Sequence, residues 1–114
     1  MAFRPEEILF SPTQSCNLRC AHCDITPSKK TLSPRLAARF LREGGKHGIS
    51  RVGFTGGEPF LALDFICAVS KKAVELGMRF DRIMTNGVWF RDKVHLVESL
   101  AKLKTAGYDG SICV

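Results

Sequence analysis

No stretch of about 18 consecutive apolar residues occurs anywhere in the sequence, so no segment reads as a membrane-spanning helix. The first residues, Met-Ala-Phe-Arg-Pro-Glu-Glu, carry acids and a proline where a secretory signal needs an apolar core. No linker, low-complexity tract or internal repeat breaks the chain, and no cysteine framework runs along its length. Those absences leave a single unit with the cytoplasm as its expected compartment. What is present fits that frame. The chain has 114 residues, 45% of them hydrophobic and 25% charged, and its mean hydropathy is zero. One domain of this size buries roughly two-thirds of its unfolded surface, and disorder would need lower hydrophobicity. Seventeen Lys and Arg against eleven Asp and Glu give a net charge of +6. The basic residues are spread along the chain, and Arg35, Arg39 and Arg42 fall on the outward face of a helix, so charge alone names no partner and nucleic acid is not expected.

The hydrophobic pattern alternates between two periods. Residues 7–11 form a short apolar run, expected as a strand buried on both faces. Ser33-Pro34 supplies an N-cap and a first-turn proline for a helix with Leu36, Ala37, Phe40 and Leu41 at its apolar spacing, and Gly44-Gly45 is expected to stop it near residue 43. A second strand runs from Ser50 to Thr55. Asp64 is the expected cap of a second helix whose stripe is Phe65, Ile66, Val69, Ala73 and Leu76, closed by Gly77. Arg79 to Thr85 reads as a third strand closed by Asn86-Gly87. A third helix covers about 91–106 with Val94, Val97, Leu100, Ala101 and Leu103 as its apolar positions, and Gly110 to Val114 begins a fourth strand. The order β-α-β-α-β-α-β implies an α/β fold with a parallel sheet, and in such sheets chemistry gathers at the carboxyl ends of the strands. Three unusual segments follow the first three strands: a cysteine cluster, a Gly-Gly-Glu-Pro turn and a Thr-Asn-Gly turn.

Of five cysteines, three crowd into the segment Cys16-Asn-Leu-Arg-Cys20-Ala-His-Cys23. Three thiolates at this spacing can each hold one iron of a [4Fe–4S] cluster and leave the fourth iron open for a ligand. Structural zinc prefers four ligands in paired spacings, and His22 reaches a shared metal only awkwardly beside Cys23. A redox pair made of Cys20 and Cys23 leaves Cys16 without a role. Cys67 and Cys113 sit in apolar stretches and read as core. His47, past a helix end, and His95, on a polar helix face, read as solvent-facing.

The cysteine segment, with Thr55-Gly56-Gly57-Glu58-Pro59 and then Thr85-Asn86-Gly87 in the same order, resembles the radical S-adenosylmethionine (radical SAM) superfamily along essentially the whole chain. The resemblance implies Cys16, Cys20 and Cys23 as cluster ligands, with S-adenosylmethionine (SAM) chelating the open iron. It places Gly56, Gly57 and Glu58 at the methionine amino group, His22 near the adenine, and Thr85 and Asn86 along the SAM pocket. The implied reaction is reductive cleavage of SAM to a 5′-deoxyadenosyl radical that abstracts hydrogen, in maturation of a peptide, protein or cofactor. An electron donor such as flavodoxin or ferredoxin, and a peptide or small-molecule substrate, are the implied partners. The family fold is a partial (βα)6 TIM-like barrel. Residues 1–114 would be a single incomplete core domain, from the first strand to the start of the fourth. From another class, a zinc-stabilised or catalytically inactive binding module that keeps the motifs stays open as an alternative.

Overall fold

The computed structural model describes residues 6–11 and 32–114. Four strands, β1 (Glu7–Phe10), β2 (Arg51–Phe54), β3 (Arg79–Met84) and β4 (Ser111–Cys113), alternate with three helices, α1 (Pro34–Lys46), α2 (Leu63–Glu75) and α3 (Lys93–Thr105). The strands lie in the order β1-β2-β3-β4, every pair parallel. This is the alternating β-α architecture that the two hydrophobic periods imply. β1 and β2 pair in continuous register from Glu7–Arg51 to Phe10–Phe54. Between β2 and β3 the register shifts: Val52 faces Phe80, yet Phe54 faces Ile83, so β3 carries one extra residue.

One face of the sheet meets the helices. Phe10, Val52, Phe54 and Ile83 pack there with Ala37 and Leu41 from α1 and with Phe65, Ile66, Val69 and Ala73 from α2. Phe10, Phe54 and Phe65 form an aromatic triangle with ring centroids 5.9–6.4 Å apart, each edge contributing about 0.5–1.5 kcal/mol beyond buried area. The other face is different from the expectation for β1. Leu9 is 48% exposed, and Met84 and Ile112 are also exposed. The first strand is therefore covered on one side among the described residues, because all three helices pack on the opposite side.

Ser33 caps α1 as expected, its hydroxyl accepting the Leu36 N–H at 3.4 Å. The helix does not stop near residue 43; it runs through Gly44-Gly45 to Lys46. Glycine inside a helix costs about 1 kcal/mol but does not end it. The stop comes at Gly48, whose φ of +93° turns the chain out of the helix while the His47 and Ile49 N–H groups close back on the Gly44 carbonyl. Ala37 and Leu41 are buried, whereas Leu36 and Phe40 are exposed, so the buried stripe is narrower than the apolar pattern.

A 3-10 turn over Pro59–Ala62 precedes α2, with Glu58 as its cap. Asp64 consequently lies inside the first turn of α2 and not at its N-cap, which is Ala62. The α2 stripe is buried as expected except for Leu76. In α3 only Leu103 of the five expected apolar positions is buried. Val94, Val97, Leu100 and Ala101 are exposed, while Ser99 and Leu103 are buried and Leu96 packs against the core. Apolar residues ring this helix almost evenly, so periodicity could not select the side that α2 covers. Asp92, whose carboxylate accepts the His95 N–H at 2.8 Å, is the cap that starts α3.

Candidate functional site

The ladder continues past the strands in the β1–β2 and the β3–β4 pair. Thr55 N–H donates to the Phe10 carbonyl at 2.8 Å, and Thr85 N–H donates to the Cys113 carbonyl at 2.9 Å. The turn after β2 is thus set directly against the end of β1. Gly56 makes that approach possible. Its φ is +103°, and a Cβ there would overlap the Ser11 hydroxyl and sit 3.2 Å from the Ser11 Cα. Ser11 is the residue from which the chain enters the segment bearing the cysteines.

Cys16, Cys20, His22 and Cys23 lie outside the described residues, so their expected roles have no structural counterpart here. Among the described residues, no group of three His, Cys, Asp or Glu side chains could hold a metal. The described part of the rim supplies something else. Thr55, Gly56 and Gly57 are half-buried, while Glu58 beneath them is 0% exposed. The Glu58 carboxylate accepts from the Thr85 hydroxyl through both oxygens, 3.0 Å to Oε2, and from the Asn86 N–H at 2.9 Å. The Phe60 N–H adds a longer bond at 3.4 Å. A buried carboxylate is costly unless donors surround it, and this one has them. The structure therefore brings Gly56, Gly57, Glu58, Thr85 and Asn86 together, as the motif order implied, at one end of the sheet.

Sequence reasoning missed the apolar lock beside this clasp. Trp89 stacks on Phe60 with centroids 4.3 Å apart and planes 4° from parallel. Phe90 and His95 meet the same indole edge-on. His95 is consequently half-buried and not solvent-facing; its Nδ1 accepts the Arg91 N–H at 3.0 Å. A lone tryptophan soon after an Asn-Gly turn was the available signal. His47 is exposed as expected. Cys67 and Cys113 are half-buried rather than fully core, and burial is the main cause that pushes the Cys67 thiol above its ordinary range.

Chemically, a half-open glycine turn with a negative charge buried below it offers backbone acceptors to a cationic amine.

Comparisons with known proteins show the family. The family model described as the radical SAM superfamily matches residues 10–112. A GTP 3′,8-cyclase of Aquifex aeolicus is 30% identical over 112 residues, covering 91% of this chain and 33% of that protein. A GTP 3′,8-cyclase of Lactiplantibacillus plantarum is 34% identical over 110 residues, covering 90% of this chain and 31% of the relative. The chain thus spans about a third of the length of these curated relatives. A crystal structure of Streptococcus suis SuiB bound to S-adenosylmethionine superimposes with a TM-score of 0.72 over 96% of this chain and 24% of that one, at 22% identity. At that identity the likeness concerns the fold, which in radical SAM enzymes is TIM-barrel-like.

Proposed function

We propose, because the chain belongs to the radical SAM superfamily, that it carries out the cofactor half of radical SAM chemistry: cluster binding, SAM binding and reductive SAM cleavage. The superfamily's cofactors are a [4Fe–4S] cluster and SAM. When bound, they supply one-electron cleavage of SAM to methionine and a 5′-deoxyadenosyl radical that takes a hydrogen atom from a substrate. In this reading Cys16, Cys20 and Cys23 hold the cluster, Gly56 and Gly57 of the Gly56-Gly57-Glu58 segment receive the methionyl ammonium, and Thr85 and Asn86 line the same pocket. His22 stands beside the adenine. The observation that carries the reading is the seating of the Gly56 turn on Ser11, which sets the SAM-amine segment against the root of the cysteine segment.

An external one-electron donor of the flavodoxin or ferredoxin kind would feed the cluster. For the substrate, the relatives' names point to a guanosine nucleotide, and SuiB, solved with its precursor peptide SuiA, offers a peptide as the other class. We read residues 1–114 as part of one core domain. No helix among the described residues is long and apolar enough to cross a membrane. A zinc-holding or inactive module is the competing reading; the family match and the built rim favour the enzyme.

Anaerobic reconstitution with iron and sulfide tests this. Single Cys16→Ala, Cys20→Ala and Cys23→Ala changes should each strip most of the iron, while Cys67→Ala and Cys113→Ala retain it. SAM should alter the EPR signal of the reduced cluster, and dithionite should then release 5′-deoxyadenosine. A colourless protein that takes up zinc in place of iron would end the proposal.

A further inference from the structure

We propose that Glu58 is a positioning residue: its carboxylate locks the turn after β3 onto the turn after β2, and so holds the Thr55–Gly57 backbone in place for the SAM ammonium without reaching the cofactor itself. The inference deepens the function proposed above and rests on it. Three observations carry it. Glu58 is 0% exposed, whereas the turn directly before it is half-open, so the surface offered to a ligand is backbone and not the carboxylate. The carboxylate is also already engaged. Three donors meet it, the Thr85 hydroxyl shared between both oxygens, the Asn86 N–H on Oε1 and the Phe60 N–H on Oε2, so neither oxygen is left without a partner. Its principal partners lie 27 and 28 residues along the chain, on the neighbouring strand end, so the bonds join two segments that sequence leaves separate.

Glu58 is therefore doing for the rim what an outer hydrogen-bond partner does for a metal ligand: it fixes the group in front of it. Loss of such partners typically costs about 10–100-fold in affinity. The Phe60–Trp89 stack extends the same junction with an apolar layer, and Trp89 is the chain's single tryptophan. Its fluorescence thus reads the junction without any cofactor.

The test is a double-mutant cycle on the anaerobically reconstituted full chain, with Glu58→Gln, Thr85→Val and the pair, each checked for unchanged iron content. Glutamine has one acceptor oxygen in place of two, and valine keeps the shape of threonine without its hydroxyl. SAM affinity, from titration of the EPR change, should fall about tenfold or more in each single variant, and the double variant should be no worse than the weaker single. Thr85→Ser, which restores a hydroxyl, should recover most of the affinity. Before SAM is added, acrylamide should quench Trp89 more readily in Glu58→Gln and in Thr85→Val than in the wild type. Losses that add would mean two independent contacts to SAM and would overturn the positioning role; so would wild-type affinity in Thr85→Val. No SAM response in the iron-loaded wild type would overturn the function proposal itself and take the positioning role with it, whatever the quenching shows.

Discussion

Glu58, at the carboxyl ends of the strands, is sealed from water with donors on both oxygens; Glu7, at the opposite end of the sheet, is half-buried and its Oε1, closed off from water, accepts no hydrogen bond among the described residues. Asp81 raises the Glu7 carboxyl above its ordinary range. The first cause is that a protonated Glu7 can hydrogen-bond to Asp81; burial and like charge add to it, and Arg51 and Arg82 pull the other way. The neighbouring Glu6–Arg51 pair is exposed and 3.5 Å long, the kind of contact worth little in water. One end of the sheet is thus fixed by convergent, buried bonds, and the other holds a carboxylate oxygen without a partner among the described residues and a loose, exposed ion pair. In parallel sheets of this kind the carboxyl rim carries chemistry and the opposite end carries stability. Rigid geometry is found where a ligand would need it.

Breaking the rim should have the largest effect. Gly56→Ala forces a side chain into a left-handed backbone and into Ser11, and is expected to cost about 3 kcal/mol or more in denaturant unfolding. Gly48→Ala sharpens the comparison, because Gly48 has a similar φ of +93° but nothing within 4 Å of the added Cβ. It should cost only about 1 kcal/mol, the strain alone. Equal losses at the two sites would show that the contact with Ser11 is not tight.

The aromatic lock comes next. Trp89→Leu removes the stack on Phe60 while keeping an apolar side chain, and should destabilise by about 2 kcal/mol. Hydrogen exchange should quicken first in residues 85–92. Exchange that quickened uniformly would argue against a separate junction at the rim.

The smallest effect belongs to the opposite end. Because the folded-state pKa of Glu7 is raised, its contribution is fully present below the ordinary carboxylate range and is lost as pH rises through the raised value. The wild type should therefore lose some thermal stability as pH rises above the ordinary carboxylate range. Asp81→Asn removes the like charge and supplies an amide N–H that can donate to the ionised Glu7, so this loss should shrink, by under about 1 kcal/mol. A larger loss in Asp81→Asn than in the wild type would reverse the sign and refute the pairing.

The alternation of strands and helices was legible because each element carries its period locally. Ser33-Pro34 announces the start of α1, and Gly77 and Asn86-Gly87 mark the ends of α2 and β3 through backbone conformations that few other residues adopt. The site residues after the second and third strands were legible for the same reason, as short motifs. The α1 terminus was misplaced because glycine weakens a helix without ending it. The buried side of α3 was misjudged because an evenly apolar helix takes its orientation from its neighbour.

By itself, then, the sequence determined the order of elements, the parallel sheet and the meeting of the motifs after β2 and β3 at one rim, since propensity, capping and hydrophobic period act over a few residues. Tertiary structure alone decided that Glu58 turns inward to Thr85 and Asn86, that Trp89 lands on Phe60, and that β3 carries one extra residue against β2. Those are meetings between residues far apart in the chain. Nothing in either partner's local pattern encodes the other, and only the packing of the whole sheet brings them within bonding distance.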